Sequence, residues 1–413
     1  MKSRESILLS TSDRDGHTTE TNWNDYKSSL CGGYFFDYCF ESCLVVISTY
    51  QEGKAHFQVR NAFYRPTTQV VRDLGILAAR IHRQKTGELR VLDAMAGCGV
   101  RGLRYVLEAE ADFVWVNEAD PNIHPVLSDN LRANLSTSQY KLTQIDANRI
   151  FFDGYNRSDF YDLIDVDCFG APIPYLGTVL WGTKLGGMVY LTSTDGRSVT
   201  GNNVHNSLKF YGAYGRSHPA AHEQGLRMIM GRLQQQAASQ GRGVQPVFAY
   251  FTGETYRVMM RFVENPELTE ENYGWLGYCH HCGDYQRVSW RKLGKATCPH
   301  DGEQLVVTGP MWLDSLHDRA TVQAMADLAT KWGWNKRASL LTMMATEADL
   351  PPYFYTLQHL GKKGKMDLPK RDRLITTLQE EGYRACTTHV NLQAIKTDAS
   401  FTHCVETAKR LTH

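Results

Sequence analysis

Val91-Leu-Asp-Ala-Met-Ala-Gly-Cys-Gly99 is an apolar run that ends in two closely spaced glycines. The pattern predicts a strand that turns into a helix, with Gly97 and Gly99 letting the backbone approach a ligand closely. Open α/β sheets bind ligands at the carboxyl ends of such strands. The spacing is not Gly-x-Gly-x-x-Gly, which disfavours a dinucleotide site and favours a nucleoside-sized ligand.

Strands and helices alternate downstream of this stretch, which predicts an α/β fold with a mostly parallel sheet covered by helices on both faces. The predicted strands cover 90–94, 113–117, a segment ending at 145–146, 161–166, 187–192, 245–251 and 256–262. The predicted helices cover 100–108, 121–134, 174–182 and 220–239.

Composition places the chain among ordinary folded proteins of two or three domains. It has 413 residues, 42% of them hydrophobic, and a formal net charge of +1, so any nucleic-acid contact depends on local patches. We expect a cytoplasmic protein, because neither an 18-residue apolar run nor a signal peptide is evident. The ten cysteines are therefore interpreted as thiols or metal ligands.

Acidic residues follow the next two strands. Glu118 lies about 20 residues beyond the glycines, where a carboxylate suits a ribose diol. Asp146, followed by Ala147, can accept hydrogen bonds from an adenine amino group. The ordered set is similar to the S-adenosylmethionine site of class I methyltransferases. The alternative is that both acids are solvated loop residues.

The fourth strand ends in Asp165-Val-Asp-Cys-Phe-Gly-Ala-Pro172. An exocyclic amine attacks poorly until a carboxylate accepts its N–H and the base is held in line with the methyl donor. Asp167 is the candidate acceptor and Phe169 the candidate stacking partner. A capping aspartate and a core phenylalanine are the alternative reading.

Cys279-His-His-Cys282 and Cys298-Pro-His-Asp-Gly302 are typical of a zinc ribbon, in which thiolates on two tight turns give a tetrahedral site. Three ligands are clear. The fourth is either His300, which is favoured slightly as the commoner ligand type, or Asp301, which the spacing favours. The metal is expected to be structural, and a pair of turns without metal is the alternative.

Positive charges concentrate at 287–295 and at 361–373, where six basic residues stand against two acidic ones. These stretches could contact phosphates. A solvated surface run is the other explanation.

The sequence resembles the tRNA (guanine-N2) dimethyltransferase family that acts on guanine 26, from about residue 51 to 399. The resemblance depends on an ordered series of motifs: Glu52-Gly53, Phe63-Tyr-Arg-Pro66, Arg72-Asp-Leu74, Ala96-Gly-Cys-Gly-Val-Arg-Gly-Leu-Arg-Tyr105, Asp167-Cys-Phe-Gly-Ala-Pro172, Thr194-Asp195, His222-Glu-Gln-Gly-Leu-Arg227, Gly309-Pro-Met-Trp-Leu313, Thr388-His389 and Ile395-Lys-Thr-Asp398.

The resemblance implies a class I (Rossmann-like) methyltransferase domain at 31–271 after a lead-in at 1–30. A zinc-binding module at 272–309 and a mainly helical α+β tRNA-binding domain at 310–413 follow. It implies S-adenosylmethionine as methyl donor and tRNA as partner, with neither a membrane nor an obligate protein partner. The residues expected at the cofactor are Arg72, Asp93, Gly97, Glu118, Asp146 and Ala147. Asp167 would accept the amine proton and Phe169 would stack on the base.

Three departures from the family pattern stand out, and the incomplete set of zinc ligands is one of them. Cys168 replaces the proline of Asp-Pro-Phe-Gly, which removes a fixed φ angle from the turn. Arg65 replaces a common asparagine. Methylation of another tRNA guanine or adenine amine, and tRNA binding without catalysis, are the competing functions.

Overall fold

The structure is a computed structural model and describes residues 49–412; the predicted lead-in at 1–30 and the first residues of the domain predicted from 31 lie outside this range. The strands are β1 (Thr49–Glu52), β2 (Ala55–Gln58), β3 (Arg90–Asp93), β4 (Phe113–Asn117), β5 (Tyr140–Thr143), β6 (Tyr161–Val166), β7 (Thr183–Ser193), β8 (Gly243–Thr252), β9 (Thr255–Val263), β10 (Tyr273–Tyr278), β11 (Tyr285–Val288), β12 (Val306–Trp312), β13 (Tyr355–Thr356), β14 (Ala385–Thr387) and β15 (Ala394–Thr397).

The helices are α1 (Gln69–Thr86), α2 (Val100–Leu107), α3 (His124–Asn134), α4 (Ala147–Asn156), α5 (Ile173–Leu176), α6 (Val179–Gly182), α7 (Gly196–Val199), α8 (Val204–Asn206), α9 (Ala221–Ser239), α10 (Arg319–Lys331), α11 (Asn335–Glu347), α12 (Leu357–Gly364), α13 (Arg371–Glu380) and α14 (Phe401–Thr412). Across residues 49–412, no helix combines the length and the apolar character needed to cross a bilayer.

A seven-stranded sheet in the order β5-β4-β3-β6-β7-β9-β8 forms the centre of the fold. Its first five strands are parallel, and β9 runs antiparallel to both β7 and β8. Helices α1 to α3 cover one face, and α4 to α6 with α9 cover the other. Residues of β6 are buried throughout, as a sheet covered on both faces requires. The predicted mostly parallel sheet is confirmed.

The turn after β3 has the backbone that its glycines predict. Gly97 has φ of 54° and Gly99 has φ of 86°, both in the left-handed region that favours glycine. A Cβ atom on Gly99 would lie 2.6 Å from Leu127 Cδ1, so this position also requires the smallest residue.

Some predicted boundaries differ from the structure. The strand predicted to end at 145–146 is β5, which already ends at Thr143, and Asp146 instead caps α4 by accepting a hydrogen bond from Asn148 N. The single helix predicted at 174–182 is two short helices, α5 and α6, separated at Gly177 and Thr178.

Two smaller sheets follow the central one. Strands β11, β10 and β12 form an antiparallel sheet that carries the cysteine-rich turns, and β13, β15 and β14 form another beside α12 to α14. Strand β12 extends across the 309/310 position predicted as a boundary. Helices α10 and α11 share a hydrophobic core with α1 and α2.

A buried polar network joins the C-terminal sheet to helix α9. Lys396 on β15 places Nζ 2.7 Å from an oxygen of Glu223, which also accepts from Arg227 Nη2 at 2.7 Å. His389 bonds to Glu347, and His317 Nε2 lies 3.8 Å from the same carboxylate. The charges are paired inside the protein, as burial requires.

Acidification should destabilise the fold through buried neutral histidines. Burial lowers the pKa of His317 and that of His218 to about 4, against about 6.5 in the unfolded chain. The unfolded state therefore binds more protons between these values. The free energy of unfolding is therefore highest above pH 6.5. It decreases as the pH falls toward 4, by up to about 1.4 kcal/mol per pH unit for each histidine.

We expect His317→Asn to lower the urea midpoint at pH 7.5 and to flatten its decline between pH 6.5 and 4.5. His205→Asn, which changes an exposed histidine, is the matched control and should leave both unchanged. An unaltered pH dependence in His317→Asn would contradict this account.

Candidate functional site

A cavity of about 1110 Å³ opens at the carboxyl ends of the parallel strands. This volume is slightly above the roughly 300–1,000 Å³ of typical small-molecule sites. It lies at the switch point between β3 and β6, where neighbouring connections leave the sheet in opposite directions. Seven of the predicted site residues line it: Arg72, Gly97, Glu118, Asp146, Ala147, Asp167 and Phe169.

Glu118 supports the glycine turn. Its Oε2 accepts a hydrogen bond from Gly97 N at 2.9 Å, and its Oε1 accepts one from Asp120 N at 3.0 Å. A Cβ atom on Gly97 would meet only the Phe63 carbonyl oxygen, 3.6 Å away. The turn therefore presents bare backbone and a carboxylate side by side along the cavity wall.

Asp93 does not line the cavity, in contrast to the prediction that it lies beside the cofactor. Its side chain is fully buried, and Oδ2 accepts a hydrogen bond from Gly102 N at 3.0 Å. Burial and the neighbouring Asp165 carboxylate raise the pKa of Asp93 well above its ordinary value. This last residue of β3 thus ties the strand to α2 underneath the cavity.

Arg72 lines the cavity, but its guanidinium is held by Glu52. Nε and Nη2 donate to the two oxygens of Glu52 at 2.7 and 2.5 Å, and the group lies over the Tyr64 ring. Tyr64 also donates to Glu52, at 2.9 Å. Arg72 therefore fixes the segment that carries Phe63.

Asp167 lies between two buried arginines. Arg101 Nη2 is 2.9 Å from Oδ2, and Arg257 Nη2 is 3.0 Å from Oδ1, while 31% of the Asp167 side chain stays exposed. Burial alone would raise the pKa of Asp167, but the two guanidiniums hold it well below its usual range. The carboxylate is ionised and faces the cavity, and it does not cap a helix.

Phe169 is 72% exposed and contacts Phe63, which is 59% exposed, with ring centroids 5.0 Å apart. The alternative of a core phenylalanine is therefore wrong. Two exposed aromatic rings at a cavity mouth suit a planar ligand.

Sequence reasoning assigned no role to Phe63 or to the two arginines. Phe63 and Arg101 lie within motifs that the chain shares with the family, and these motifs are the sequence signal for both residues. Arg257 lies 90 residues beyond Asp167 on β9, and no local pattern indicates their pairing.

Cys279, Cys282, Cys298 and Asp301 place one sulfur or oxygen atom each within 4.8 Å of one another. The sulfurs of Cys282 and Cys298 are 3.5 Å apart, and Cys279 Sγ is 3.3 Å from Asp301 Oδ2. A tetrahedral zinc site with Zn–S of about 2.3 Å needs roughly this spacing.

The preference for His300 as fourth ligand is not what the structure shows. His300 Nε2 instead lies 2.8 Å from Asp284 Oδ2, while the Asp301 carboxylate turns toward the thiols. The Cys-x-x-Cys spacing therefore indicates the fourth residue of the cluster, Asp301, better than the frequency of histidine as a zinc ligand does.

The basic stretch at 361–373 divides into two groups. Lys363 Nζ donates to the carbonyl of His280 at 2.9 Å, which joins α12 to the cysteine-rich turn. Lys363 is itself exposed, and the other exposed basic side chains of the stretch are Lys362, Lys365, Lys370 and Arg373.

Comparisons with known proteins agree with this geometry. The tRNA (guanine(26)-N(2))-dimethyltransferase of Aeropyrum pernix is 30% identical over 366 residues, covering 84% of this chain and 89% of that protein. The enzyme of the same name from Thermococcus kodakarensis is 28% identical over 365 residues, covering 84% and 93%.

A solved structure of Trm1 from Pyrococcus horikoshii with S-adenosyl-L-methionine aligns with a TM-score of 0.78 at 26% identity, covering 87% of this chain and 99% of that one. This likeness confirms the predicted Rossmann-like methyltransferase fold. The family model described as N2,N2-dimethylguanosine tRNA methyltransferase matches residues 46–409. The chain therefore belongs to the N2,N2-dimethylguanosine tRNA methyltransferase family.

Proposed function

We propose that the protein transfers one or two methyl groups from S-adenosylmethionine to the exocyclic N2 amine of guanine 26 in tRNA. The observation that carries the proposal is an ionised carboxylate, Asp167, beside the exposed ring of Phe169 at the mouth of the cavity. The relatives' activity toward guanine 26 supports the choice of substrate.

The residues that would hold the cofactor are those of the cavity wall. These residues line the cavity. Gly97 would let the backbone approach the cofactor, Glu118 would lie by the ribose, and Asp146 with Ala147 would lie by the adenine. Bound there, S-adenosylmethionine supplies a methyl group on a positively charged sulfur. Arg72 contributes by holding Glu52 and the Phe63 segment in place.

Phe169 and Phe63 would hold the guanine after it has turned out of its stack into the cavity. Stacking contributes roughly 1–3 kcal/mol per base, enough to offset much of the cost of unstacking. Asp167 then accepts a hydrogen bond from the amine and directs the nitrogen lone pair toward the methyl group.

No cysteine nucleophile takes part in this scheme. Cys168 is buried, which raises the pKa of its thiol to about 12, and its Sγ contacts the Thr192 carbonyl at 3.4 Å. The Cys168 loop does not need the family's proline, because Gly170 N donates to Thr194 Oγ1 at 2.7 Å and Thr194 N donates to Gly170 O at 2.9 Å.

We further propose that Cys279, Cys282, Cys298 and Asp301 hold a structural zinc ion. Backbone N–H groups point at the sulfurs, with Cys282 N 3.4 Å from Cys279 Sγ and Asp284 N 3.4 Å from Cys282 Sγ. Such donors suit thiolates bound to a metal. The small core around these turns supplies little apolar burial of its own.

The division into a methyltransferase domain at 31–271, a metal module at 272–309 and a tRNA-binding region at 310–413 remains a proposal. The separate sheets support it, whereas the shared core of α10 and α11 with α1 places these two helices beside the methyltransferase sheet. The exposed basic residues at 362–373 suit tRNA phosphates. A tRNA substrate fits the expected cytoplasmic location.

Nucleoside mass spectrometry of a tRNA transcript treated with protein and donor tests the activity directly. We expect N2-methylguanosine or N2,N2-dimethylguanosine, and its loss when guanine 26 of the transcript is replaced by adenine. Product that persists in the replaced transcript would assign the activity to another guanine.

Asp167→Ala should reduce the single-turnover rate by about 10²- to 10⁴-fold, because the amine loses its acceptor. The dissociation constant of S-adenosylmethionine, measured by isothermal titration, should stay close to that of the wild type. Asp129→Ala, which removes an exposed carboxylate on α3, is the control. Near-native turnover in Asp167→Ala would show that the acceptor is assigned wrongly.

Phe63→Ala and Phe169→Ala should each lower kcat/KM for tRNA by about 10- to 100-fold, which corresponds to the loss of one stacking partner. Donor binding should not change. Phe152→Ala removes an exposed ring on α4 away from the cavity and should keep full activity. Equal effects of all three substitutions would contradict a role in holding the base.

Elemental analysis should find one zinc per chain. Asp301→Ala and Cys279→Ser should lose the metal and lower the melting temperature, whereas His300→Ala should retain it. Retention in Asp301→Ala together with loss in His300→Ala would reverse the assignment of the fourth ligand.

A further inference from the structure

Both oxygens of the Asp167 carboxylate face a guanidinium. Arg101 reaches Oδ2 from α2 and Arg257 reaches Oδ1 from β9, at 2.9 and 3.0 Å. The two arginines are 4% and 5% exposed at the side chain, so water reaches these pairs only from the exposed side of Asp167. The 31% of the Asp167 side chain that stays exposed faces the cavity.

The arginines are themselves fixed. Arg101 Nη1 donates to Asp165 Oδ2 at 2.9 Å, and the same oxygen accepts from Tyr105 OH at 2.7 Å. Arg257 bonds to Thr192 Oγ1. Both guanidiniums lie 5.8 Å from the centroid of the Tyr190 ring, so neither can swing toward the cavity without losing these contacts.

Charge balance supports an ionised Asp167. The titratable and charged groups around it come from seven elements: Arg72 on α1, Asp93 on β3, Arg101 and Tyr105 on α2, Asp165 on β6, Cys168 in the following loop, Tyr190 on β7 and Arg257 on β9. Burial favours the neutral form of Asp93. Burial also raises the pKa of Asp165, so Asp167, which both guanidiniums contact, is the carboxylate that they hold ionised.

We propose that Arg101 and Arg257 are positioning residues that keep Asp167 an ionised hydrogen-bond acceptor, so that the proton lost from the guanine amine goes to water and not to this carboxylate. The inference rests on the proposed function, because it concerns the amine that Asp167 would hold.

The step balances without a base on the protein. The amine lone pair forms the nitrogen–carbon bond while the carbon–sulfur bond breaks, and its electron pair stays on sulfur. The nitrogen then carries a positive charge, which makes its proton acidic enough for water to accept it. Asp167 orients the amine and stabilises the developing charge throughout, unchanged in protonation.

Single-turnover rates of N2 methylation from pH 5.5 to 8.5, at saturating donor and tRNA, test this role. The wild type should vary by less than about twofold, because Asp167 stays ionised across the range. Arg257→Met removes one guanidinium, so the pKa of Asp167 should rise toward the acid end of this range. The methylation rate of Arg257→Met should fall about tenfold per pH unit below the pKa of Asp167 and should recover above it. Arg257→Lys keeps the charge and should restore the flat profile.

A merely structural role of Arg257 would lower the rate equally at every pH, and that result would overturn the proposal. A wild-type rate that falls toward acid pH would also overturn the proposal. The wild-type profile therefore tests the proposal even if Arg257→Met does not fold. Absence of any N2-methylated guanosine from wild-type reactions would instead reject the proposed function. An inactive Asp167→Ala with parallel profiles for Arg257→Met and wild type would reject this inference alone.

Discussion

The register between β3 and β6 is the constraint on which the site depends. It pairs Asp93 with Asp165 across neighbouring strands, and Asp167 follows two residues later, so three carboxylates crowd one end of the sheet. Such a cluster is stable only if protons or cations neutralise it. Arg101 from α2 and Arg257 from β9 supply the cations, and they tie the parallel half of the sheet to its antiparallel edge. The contacts that neutralise this cluster therefore also position the Asp167 carboxylate.

Much of the architecture follows from local sequence, since apolar runs that end in glycine or acid mark the buried parallel strands. Strands β4 and β6 have the predicted limits, and the glycine turn after β3 has the predicted backbone. The short strand β5 ends at Thr143, before the predicted 145–146, and its half-buried residues carry no clear periodicity that would mark its end. No local sequence pattern indicates the burial of Asp93 under the turn or the pairing of Arg257 with Asp167, because both are properties of the assembled sheet.

Asp284 links the cysteine-rich turns to the C-terminal sheet. One of its oxygens accepts from Tyr355 OH at 2.6 Å and the other pairs with His300, next to Asp301 in the chain. Lys363 adds a second link from α12 to the carbonyls of the first cysteine turn. A structural metal at the thiols would thus stabilise the sheet that supports the exposed lysines, and not only its own small core.

The contact between Phe63 and Phe169 has a steric consequence. The rings touch edge to face across the cavity mouth, one from the segment before α1 and the other from the loop after β6. A purine can be sandwiched there only if one ring rotates aside, and the Phe63 segment is anchored by the Arg72–Glu52 pair whereas the Phe169 loop is held by Thr194. Rotation of one exposed ring, and not movement of the anchored backbone, is therefore the change that would admit a purine between Phe63 and Phe169.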